Sequence, residues 1–287
     1  RPGDRVTCET TAWFCGRCLP CREGHYNMCA QRRVVGYAVD GCFAPYCLVY
    51  ERQVHLLPEG VDLVAGALSE PLACCVHAVL ELTSVTAGDL VVVAGPGSIG
   101  LLCLQLARAA GATVIVAGTA TDSARLALAG RLGAAQAVDL SSQDLAQVVA
   151  DLTAGQGADV YFECSGAPAA ARQGLTITRR GGQYTQVGLF SRPFELAFDT
   201  IAYRELRVTG SLGQRSSSWR RGLALLGQGL VDTRSLVSHI LPLEDWQEAF
   251  HLIGDGGQRR RVQVIGLKDH EPDGLVESEA ARPGTPR

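Results

Sequence analysis

The sequence predicts a doubly wound α/β domain with a smaller cysteine-rich β domain ahead of it. A continuous β-branched run at residues 90–94 suits a strand that is buried on both faces of a parallel sheet. Helical and strand patterns then alternate as far as residue 210, as they do in successive βαβ units. A glycine-rich turn joins the first of these strands to the first helix. Together these observations predict a parallel sheet with helices on both faces.

Hydrophobic period and turn residues give the individual elements. Short β-type runs, Val34-Val35 and Tyr46–Tyr50, fall within the first 60 residues, and helix formers dominate residues 65–82. The predicted strands of the α/β domain are 90–94, 113–117, 137–138, 159–163, 183–188 and 206–210. Its predicted helices are 99–110, 122–132, 143–152 and 168–178. After Gly213 the pattern predicts helices 218–228 and 244–253 and a closing strand 262–265.

This order of elements predicts four parts. Residues 1–75 form the β domain, 76–213 the α/β domain, and 214–267 a segment that returns to the first domain. Residues 268–287 are rich in proline, glycine, acidic and small residues, which is the composition of a disordered tail.

Composition excludes several classes of protein. A chain of 287 residues with 47% hydrophobic residues can bury a core, and a net charge of -3 is unlike the basic face of a nucleic-acid-binding protein. We expect no membrane span, because charged residues interrupt every apolar stretch of about 18 residues. The only lysine, Lys268, excludes a Schiff-base or phosphate-loop lysine from the main body of the chain. Eleven cysteines are too few for a disulfide scaffold and favour reduced thiols and a cytoplasmic location.

Four of these cysteines, Cys15, Cys18, Cys21 and Cys29, fall within fifteen residues. Glycine and proline between them permit tight turns, so four thiolates can close a tetrahedral structural zinc site. An iron–sulfur cluster is an alternative, although His25 stands where its fourth cysteine would be, and disulfides are another. The sequence predicts that other cysteines pack as small core residues, namely Cys8, Cys42, Cys47, Cys103 and Cys164.

The glycine-rich turn reads Gly95-Pro96-Gly97-Ser98-Ile99-Gly100, directly after a strand and at the start of a helix. In that position a G-x-G-x-x-G sequence predicts dinucleotide binding. Gly95 makes the turn, Gly97 lets the backbone approach a pyrophosphate, and Gly100 allows close helix–strand packing. Ser98 and Ile99 begin the helix whose N-terminus faces the anion. A glycine-rich turn without a ligand is the alternative.

The residues at the end of the second strand of this domain do not decide whether the cofactor is NAD or NADP. An acidic residue there would hold the ribose 2′-hydroxyl of NAD, but the strand ends Ala117-Gly118-Thr119 without a carboxylate. Asp122 follows a few residues late and is equally suited to capping the next helix. Thr119 and Arg125 could hydrogen-bond a 2′-phosphate, and this slightly favours NADP as the predicted cofactor.

Glu70 is a further candidate functional residue, and it lies in the segment Ser69–Cys75 ahead of the α/β domain. A carboxylate in so apolar a stretch is costly to bury unless it binds a metal or a cation. A glutamate in the first turn of a helix, followed by proline, is the alternative. His77 in the same stretch is expected to be a hydrogen-bonded core residue.

In combination these residues resemble the zinc-dependent medium-chain dehydrogenase/reductase family, and within it the polyol (sorbitol-type) and threonine dehydrogenase branch. The resemblance covers residues 3–266, and Glu-Pro at 70–71 suggests the branch. The matching segments are Gly3–Val6, the four-cysteine segment, Asp40–Tyr46, Glu70-Pro71-Leu72, Gly95–Gly100, Phe162–Gly166, Gly182 with Val187-Gly188, and Glu205–Ser211.

The resemblance implies a Rossmann domain inserted in a partly open, GroES-like β-barrel catalytic domain, with the active site in the cleft. It implies hydride transfer between a secondary alcohol or polyol and NAD or NADP, with a catalytic zinc as Lewis acid. Glu70 would be a ligand or close neighbour of that zinc, and Val187 and Gly188 would lie at the cofactor. Small-molecule alcohols or ketones are then the expected substrates, and a dimer or tetramer of identical chains is the expected assembly.

Two departures from the family pattern affect these expectations. The family's remaining catalytic-zinc ligands and its proton relay lie upstream of Gly3–Val6, so we expect this chain to bind a cofactor with little turnover. Gly118 stands where NAD-preferring relatives carry aspartate. Two alternatives remain: a truncated, catalytically inactive nucleotide-binding subunit, and a zinc-independent reductase of the same superfamily.

Overall fold

The computed structural model describes residues 1–254 and 262–266. Its strands are β1 (Val6–Cys8), β2 (Thr11–Trp13), β3 (Arg33–Val34), β4 (Val54–Leu56), β5 (Leu90–Ala94), β6 (Thr113–Gly118), β7 (Gln136–Asp139), β8 (Ala158–Glu163), β9 (Thr178–Gln186), β10 (Arg207–Gly210), β11 (Val237–Pro242) and β12 (Val262–Gly266). Its α-helices are α1 (Leu19–Arg22), α2 (Leu63–Gly66), α3 (Ser69–Val76), α4 (Ser98–Ala109), α5 (Ser123–Arg131), α6 (Leu145–Thr153), α7 (Pro168–Ile177), α8 (Asp199–Tyr203), α9 (Ser216–Gly227) and α10 (Trp246–Gly254).

A six-stranded sheet in the order β10-β9-β8-β5-β6-β7 organises the molecule. All of its neighbouring strands are parallel. Because the chain reverses direction across the sheet between β5 and β8, their carboxyl ends form a topological switch point, where ligands bind in open α/β sheets. The predicted doubly wound Rossmann sheet is confirmed.

Alternation along β5 explains why both faces of this sheet are buried. Val91 and Val93 join the core formed with α3 and α4, whereas Val92 faces the opposite core, and all three are fully buried. A strand covered on both faces is continuously apolar, which is why residues 90–94 are predicted correctly.

Smaller two-stranded sheets lie outside the Rossmann sheet: β1 pairs with β4, β2 with β3, and β11 with β12. Helix α3 continues through a π-helical turn, His77–Glu81, and packs against α9. At Gly222 of α9 an added Cβ would lie 3.3 Å from Leu72 of α3, so glycine permits this close contact. The segment after residue 213 therefore rests on the helix that bears Glu70.

The prediction of a β-type run at Tyr46–Tyr50 is wrong. These residues form neither helix nor strand, and the Leu48 side chain is 98% exposed. Aromatic and β-branched residues favour strands only where a neighbouring strand supplies packing, and none pairs with this run among the described residues. The prediction that Cys42 packs in the core is also wrong, because Cys42 is exposed, whereas Cys103 is buried.

His77 agrees with its predicted role as a core residue. It is 3% exposed, and its Nδ1 lies 2.7 Å from Oε2 of Glu81. The predicted tail at 268–287 lies outside the described residues, and the domain boundaries at 75/76 and 213/214 stay predictions. Within the described chain, no helix combines the length and apolar character that crossing a membrane requires.

Candidate functional site

The four predicted thiols form one group, which we call the cysteine lobe (Cys15, Cys18, Cys21 and Cys29). Their sulfur atoms all lie within 4.8 Å of one another, and Cys15 Sγ is 3.9 Å from Cys21 Sγ and 3.6 Å from Cys29 Sγ. Four sulfurs at about 2.3 Å from one tetrahedral zinc lie about 3.8 Å apart. The donor set and its spacing therefore fit zinc, with no coordination position left open for a substrate.

Backbone hydrogen bonds to the Cys15 sulfur favour its thiolate form. The Cys18 amide donates to Cys15 Sγ at 3.4 Å. Backbone hydrogen bonds from Arg17 and Cys18 lower the pKa of Cys15 to about 6. Because metal ligation requires the thiolate, this environment favours ligation by Cys15 at neutral pH, whereas desolvation, followed by the hydrogen bond of Cys18, raises the pKa of Cys21 to about 12.

Contacts from distant parts of the chain hold the cysteine lobe in place. Asn27 Nδ2 donates to the Leu212 carbonyl at 2.8 Å, and His25 Nε2 lies 3.1 Å from Arg215 Nη1. His25 thus faces an arginine and is not a member of the four-ligand group. The ligand group contains Cys29 at the position after the Tyr26–Met28 turn, as the zinc interpretation requires.

The predicted dinucleotide turn lies at the switch point of the sheet. The amide of Gly95 donates to the Ala117 carbonyl at 2.8 Å, and the amide of Cys164 donates to Ala94 at 2.9 Å. The turn therefore continues β5 between its two neighbours and leads directly into α4. The first amides of an α-helix have no partner within the helix, so the N-terminus of α4 is a position where an anion would be stabilised.

The three glycines of this turn differ in the space that an added side chain would find. Gly95 has φ +99°, and an added Cβ would lie 2.8 Å from Ser165. At Gly100 an added Cβ would lie 1.9 Å from the Gly95 carbonyl oxygen. At Gly97 an added Cβ would meet nothing within 4 Å, and its φ of -72° suits any residue. The free space beside Gly97 is where the predicted pyrophosphate would approach the backbone.

Thr119 and Arg125 both contact Asp122 at the end of β6. The Thr119 hydroxyl donates to Asp122 Oδ2 at 3.0 Å, and Arg125 Nη1 lies 3.0 Å from Oδ1. The Asp122 carboxylate also accepts from the Thr119 amide at 3.1 Å, which caps the short turn Ala120–Asp122. Asp122 is thus already paired, while Gly118 leaves the strand end without a side chain.

Glu163, at the end of β8, organises the other side of the same crevice. Its side chain is fully buried and accepts hydrogen bonds from Ser165, from the Gly166 amide and from Gln186 Nε2, the last at 2.7 Å. Its backbone carbonyl accepts from Val187 and Gly188 at 2.9 and 2.8 Å. Sequence reasoning gave Glu163 no separate role; a carboxylate directly after the apolar run Val160–Phe162 is the signal that could have found it.

Glu70 lies in the first turn of α3 with its carboxylate largely removed from solvent. Cys74 Sγ donates to Oε1 at 3.4 Å and Gln214 Nε2 at 3.3 Å. Burial raises the pKa of Glu70, although hydrogen bonds from Cys74 and Gln214 and the charge of Arg32 oppose that shift. Gln214 is 3% exposed, and no pattern in the sequence pointed to it.

A catalytic metal needs more ligands than the residues around Glu70 provide. Glu70 and Cys74 make a pair of possible ligands, but the cysteine lobe is the only group of three or more that the described residues bring together. Three protein ligands are usual at a catalytic zinc. The described residues therefore do not complete such a site, and the role of Glu70 as a ligand stays a prediction.

Comparisons with known proteins agree with this geometry. Residues 1–59 match the alcohol dehydrogenase GroES-like domain family, and residues 98–228 match the zinc-binding dehydrogenase family. The first match contains the cysteine lobe, and the second begins at Ser98 at the N-terminus of α4.

Characterised relatives cover most of the chain. Sorbitol dehydrogenase of Halalkalibacterium halodurans is 45% identical over 88% of this chain and 74% of its own length, and D-arabitol-phosphate dehydrogenase of Enterococcus avium is 40% identical over 89% and 73%. A solved structure from Sinorhizobium meliloti, described as a zinc-binding dehydrogenase bound to NADP, superposes with a TM-score of 0.82 at 33% identity, covering 92% of this chain and 76% of that one. The chain belongs to the zinc-dependent medium-chain dehydrogenase/reductase family, whose alcohol and polyol dehydrogenases use zinc and NAD(P).

Proposed function

We propose that this protein oxidises secondary alcohols of the polyol class, with NADP as its preferred cofactor. The observation that supports this most directly is the uncovered backbone of Gly97 at the N-terminus of α4, at the switch point of the sheet. Sorbitol and arabitol phosphate, the polyols named for two relatives, indicate the class of substrate.

The pyrophosphate of the cofactor would bind beside Gly97, where the α4 amides and the helix dipole favour negative charge. Ser98 and Ile99 supply the first amides of that helix, and Gly100 lets α4 approach β5. The nicotinamide end would extend across β8, where Glu163 fixes Val187 and Gly188. Bound nicotinamide would accept or donate the hydride.

The preference for NADP follows from the charges at the end of β6. NAD recognition uses a free carboxylate that accepts from the ribose 2′-hydroxyl and repels a 2′-phosphate. Gly118 offers none, and Asp122 is neutralised by Arg125 and capped by Thr119. A 2′-phosphate would compete with Asp122 for Arg125 and for the Thr119 hydroxyl, both of which are good phosphate donors.

The cysteine lobe would hold one structural zinc through Cys15, Cys18, Cys21 and Cys29, and Glu70 would act at the substrate side. The lobe orders a segment with little core of its own, since α1 has no buried residue. We derive no proton or metal step at Glu70, because the described residues do not complete a metal site there.

Two further properties belong to this proposal. A homodimer or homotetramer is supported by β10, which ends the six-stranded sheet and leaves Val208 43% exposed on an edge that a second copy could cover. A reducing, cytoplasmic location is supported by the cysteine content, because eleven cysteines in 287 residues are an odd number and too few for a disulfide scaffold.

Calorimetry and metal analysis of the 287-residue chain test the cofactor and zinc assignments, and reduction of NADP with sorbitol as substrate tests the oxidation of polyols. NADP should bind more tightly than NAD, and Arg125→Ala should weaken NADP while leaving NAD binding unchanged. Metal analysis should find zinc that Cys18→Ser removes and Cys103→Ser, a buried thiol outside the lobe, retains. An NAD preference that disappears in Asp122→Ala would contradict the NADP assignment, and bound iron with visible charge-transfer absorption would contradict the zinc assignment.

A further inference from the structure

Two cysteines outside the cysteine lobe face each other across a short loop. The sulfur atoms of Cys42 and Cys47 are 2.8 Å apart, and both residues are free thiols. Non-bonded heavy atoms normally pack at about 3.5–4.0 Å, and a disulfide bond is about 2.05 Å long. The pair therefore needs to close by less than about 1 Å to form a bond of ordinary length.

The backbone around this pair can follow such a movement. The residues between them, 43–46, form bends without helix or strand, so no ladder of hydrogen bonds resists adjustment. The start of the loop is held, because Gly41 lies so close to Gly36 that an added Cβ would be 2.9 Å from the Gly36 Cα. One anchored end and a short adaptable segment keep the two sulfurs near each other.

External reagents can reach the pair. Cys42 is exposed and Cys47 is half-buried. Cys8 of β1 lies behind them, close enough that the charge of Cys47 adds to burial in raising the Cys8 pKa. Although the residue is exposed, partial desolvation of its sulfur, followed by the hydrogen bond and charge of Cys47, raises the pKa of Cys42 to about 12, so exchange at this pair should accelerate as the pH rises.

A metal does not account for the arrangement. Among the described residues, neither Cys42 nor Cys47 belongs to a group of three or more possible metal ligands. Two adjacent thiols without a third ligand are suited instead to forming a disulfide.

We propose that Cys42 and Cys47 form a reversible disulfide site that reacts with low-molecular-weight disulfides. One cysteine thiolate attacks the external disulfide, forms a mixed disulfide and releases one thiolate. The second cysteine then attacks the protein sulfur of that mixed disulfide and releases the other thiolate. Two protein thiols are oxidised to one disulfide, one external disulfide is reduced to two thiols, and the protons pass to the released thiolates.

Closure of this disulfide would restrain the loop that contacts helix α10. Phe43, inside the ring that the disulfide closes, packs edge-on against Phe250 of α10 at a centroid distance of 6.4 Å. Oxidation would thus hold Phe43 near α10, which connects the redox state of the loop to the packing of the C-terminal segment.

The test uses the zinc-loaded 287-residue chain in buffers of defined reduced and oxidised glutathione. After equilibration, free thiols are alkylated and the chain is digested with trypsin. The peptide Val34–Arg52 contains Cys42 and Cys47 and no other cysteine, so mass spectrometry reads their pairing directly. The same peptide, made synthetically, is the unfolded reference. We expect the equilibrium constant for the disulfide to be at least about tenfold larger in the folded chain.

Three variants sharpen the result. Cys8→Ser should form the same disulfide, whereas Cys47→Ser should stop at a mixed disulfide on Cys42. Cys42→Ser should prevent closure without changing NADP binding, because Cys42 is not among the residues proposed to bind the cofactor. Equal equilibrium constants in chain and peptide, or a Cys8–Cys47 bond in place of the proposed one, would overturn the inference.

Discussion

Alanine substitutions at two glycines of the α4 turn, made one at a time, test cofactor binding and folding stability separately. At Gly97 the new methyl group meets nothing within 4 Å, and the backbone there is already extended. At Gly100 the same methyl would lie 1.9 Å from the Gly95 carbonyl oxygen, which is backbone and cannot rotate away. The two variants differ only in the position of one carbon atom, yet we expect opposite phenotypes.

The structure sets the size of both effects. Gly97→Ala loses a helix N-cap glycine but reduces the entropy of the unfolded chain, so its stability should change by less than about 1 kcal/mol. Gly100→Ala forces backbone movement that costs about 1–3 kcal/mol, which lowers Tm by about 2–5 °C in a chain of this size. A pyrophosphate excluded from Gly97 loses one or two charge-assisted hydrogen bonds, which corresponds to about 10–100-fold weaker binding.

Thermal unfolding and calorimetric titration with NADP measure both quantities on the same samples. We expect Gly97→Ala to retain the wild-type Tm and to bind NADP at least about tenfold more weakly. Gly100→Ala should show a lowered Tm. Wild-type affinity of Gly97→Ala for both NADP and NAD would refute the placement of the pyrophosphate, whatever the stability of either variant.

Three other predictions test separate parts of the structure. Cys18→Ser should reduce zinc from about one per chain and lower Tm, because the cysteine lobe has little core of its own; metal analysis and calorimetry on the purified variant check this. Gly118→Asp should cost about 1–3 kcal/mol, because its Cβ would lie 2.8 Å from Pro96 Cγ, and adding Pro96→Ala should recover most of that loss in a urea-denaturation cycle; additive effects would contradict the contact. Although desolvation acts to raise it, hydrogen bonds with His77 and two serines lower the pKa of Glu81 to about 2 from its ordinary 4.5. The ionised Glu81 carboxylate therefore stabilises the folded state above pH 4.5, and this contribution is lost as the pH falls towards 2. Glu81→Gln should lower the free energy of unfolding by about 1–3 kcal/mol at neutral pH. When urea denaturation is repeated at lower pH, the difference between the variant and the wild type should shrink.

The Rossmann sheet could be predicted from the sequence because its signals are local. β5 matches its predicted bounds, and α4 is displaced from its prediction by one residue at each end. A parallel strand buried on both faces is continuously apolar, and the glycine turn has one required position between strand and helix. The cysteine lobe was predictable for a similar reason, since closely spaced ligands need no knowledge of distant structure.

The surroundings of Glu70 could not be predicted, because they depend on contacts between distant residues. Gln214 approaches Glu70 and also donates to Thr10 at 2.9 Å, and neither contact leaves a periodic signal in the sequence. At Tyr46–Tyr50 the sequence predicted an element that the structure does not contain. The composition of these residues favours a strand, but strand formation depends on a partner that composition does not reveal.

The contacts between the N-terminal segment and residues 212–215 also constrain the order in which the protein can form. Asn27 and Leu212 are separated by 185 positions, His25 and Arg215 by 190, and Thr10 and Gln214 by 204. On a ribosome, the amino-terminal segment must wait for nearly the whole Rossmann sheet to be synthesised before it can dock. Its four thiols are synthesised before that sheet and are exposed to metal and oxidant until the segment docks. Early zinc capture would then protect these cysteines during synthesis, before the rest of the chain can enclose them.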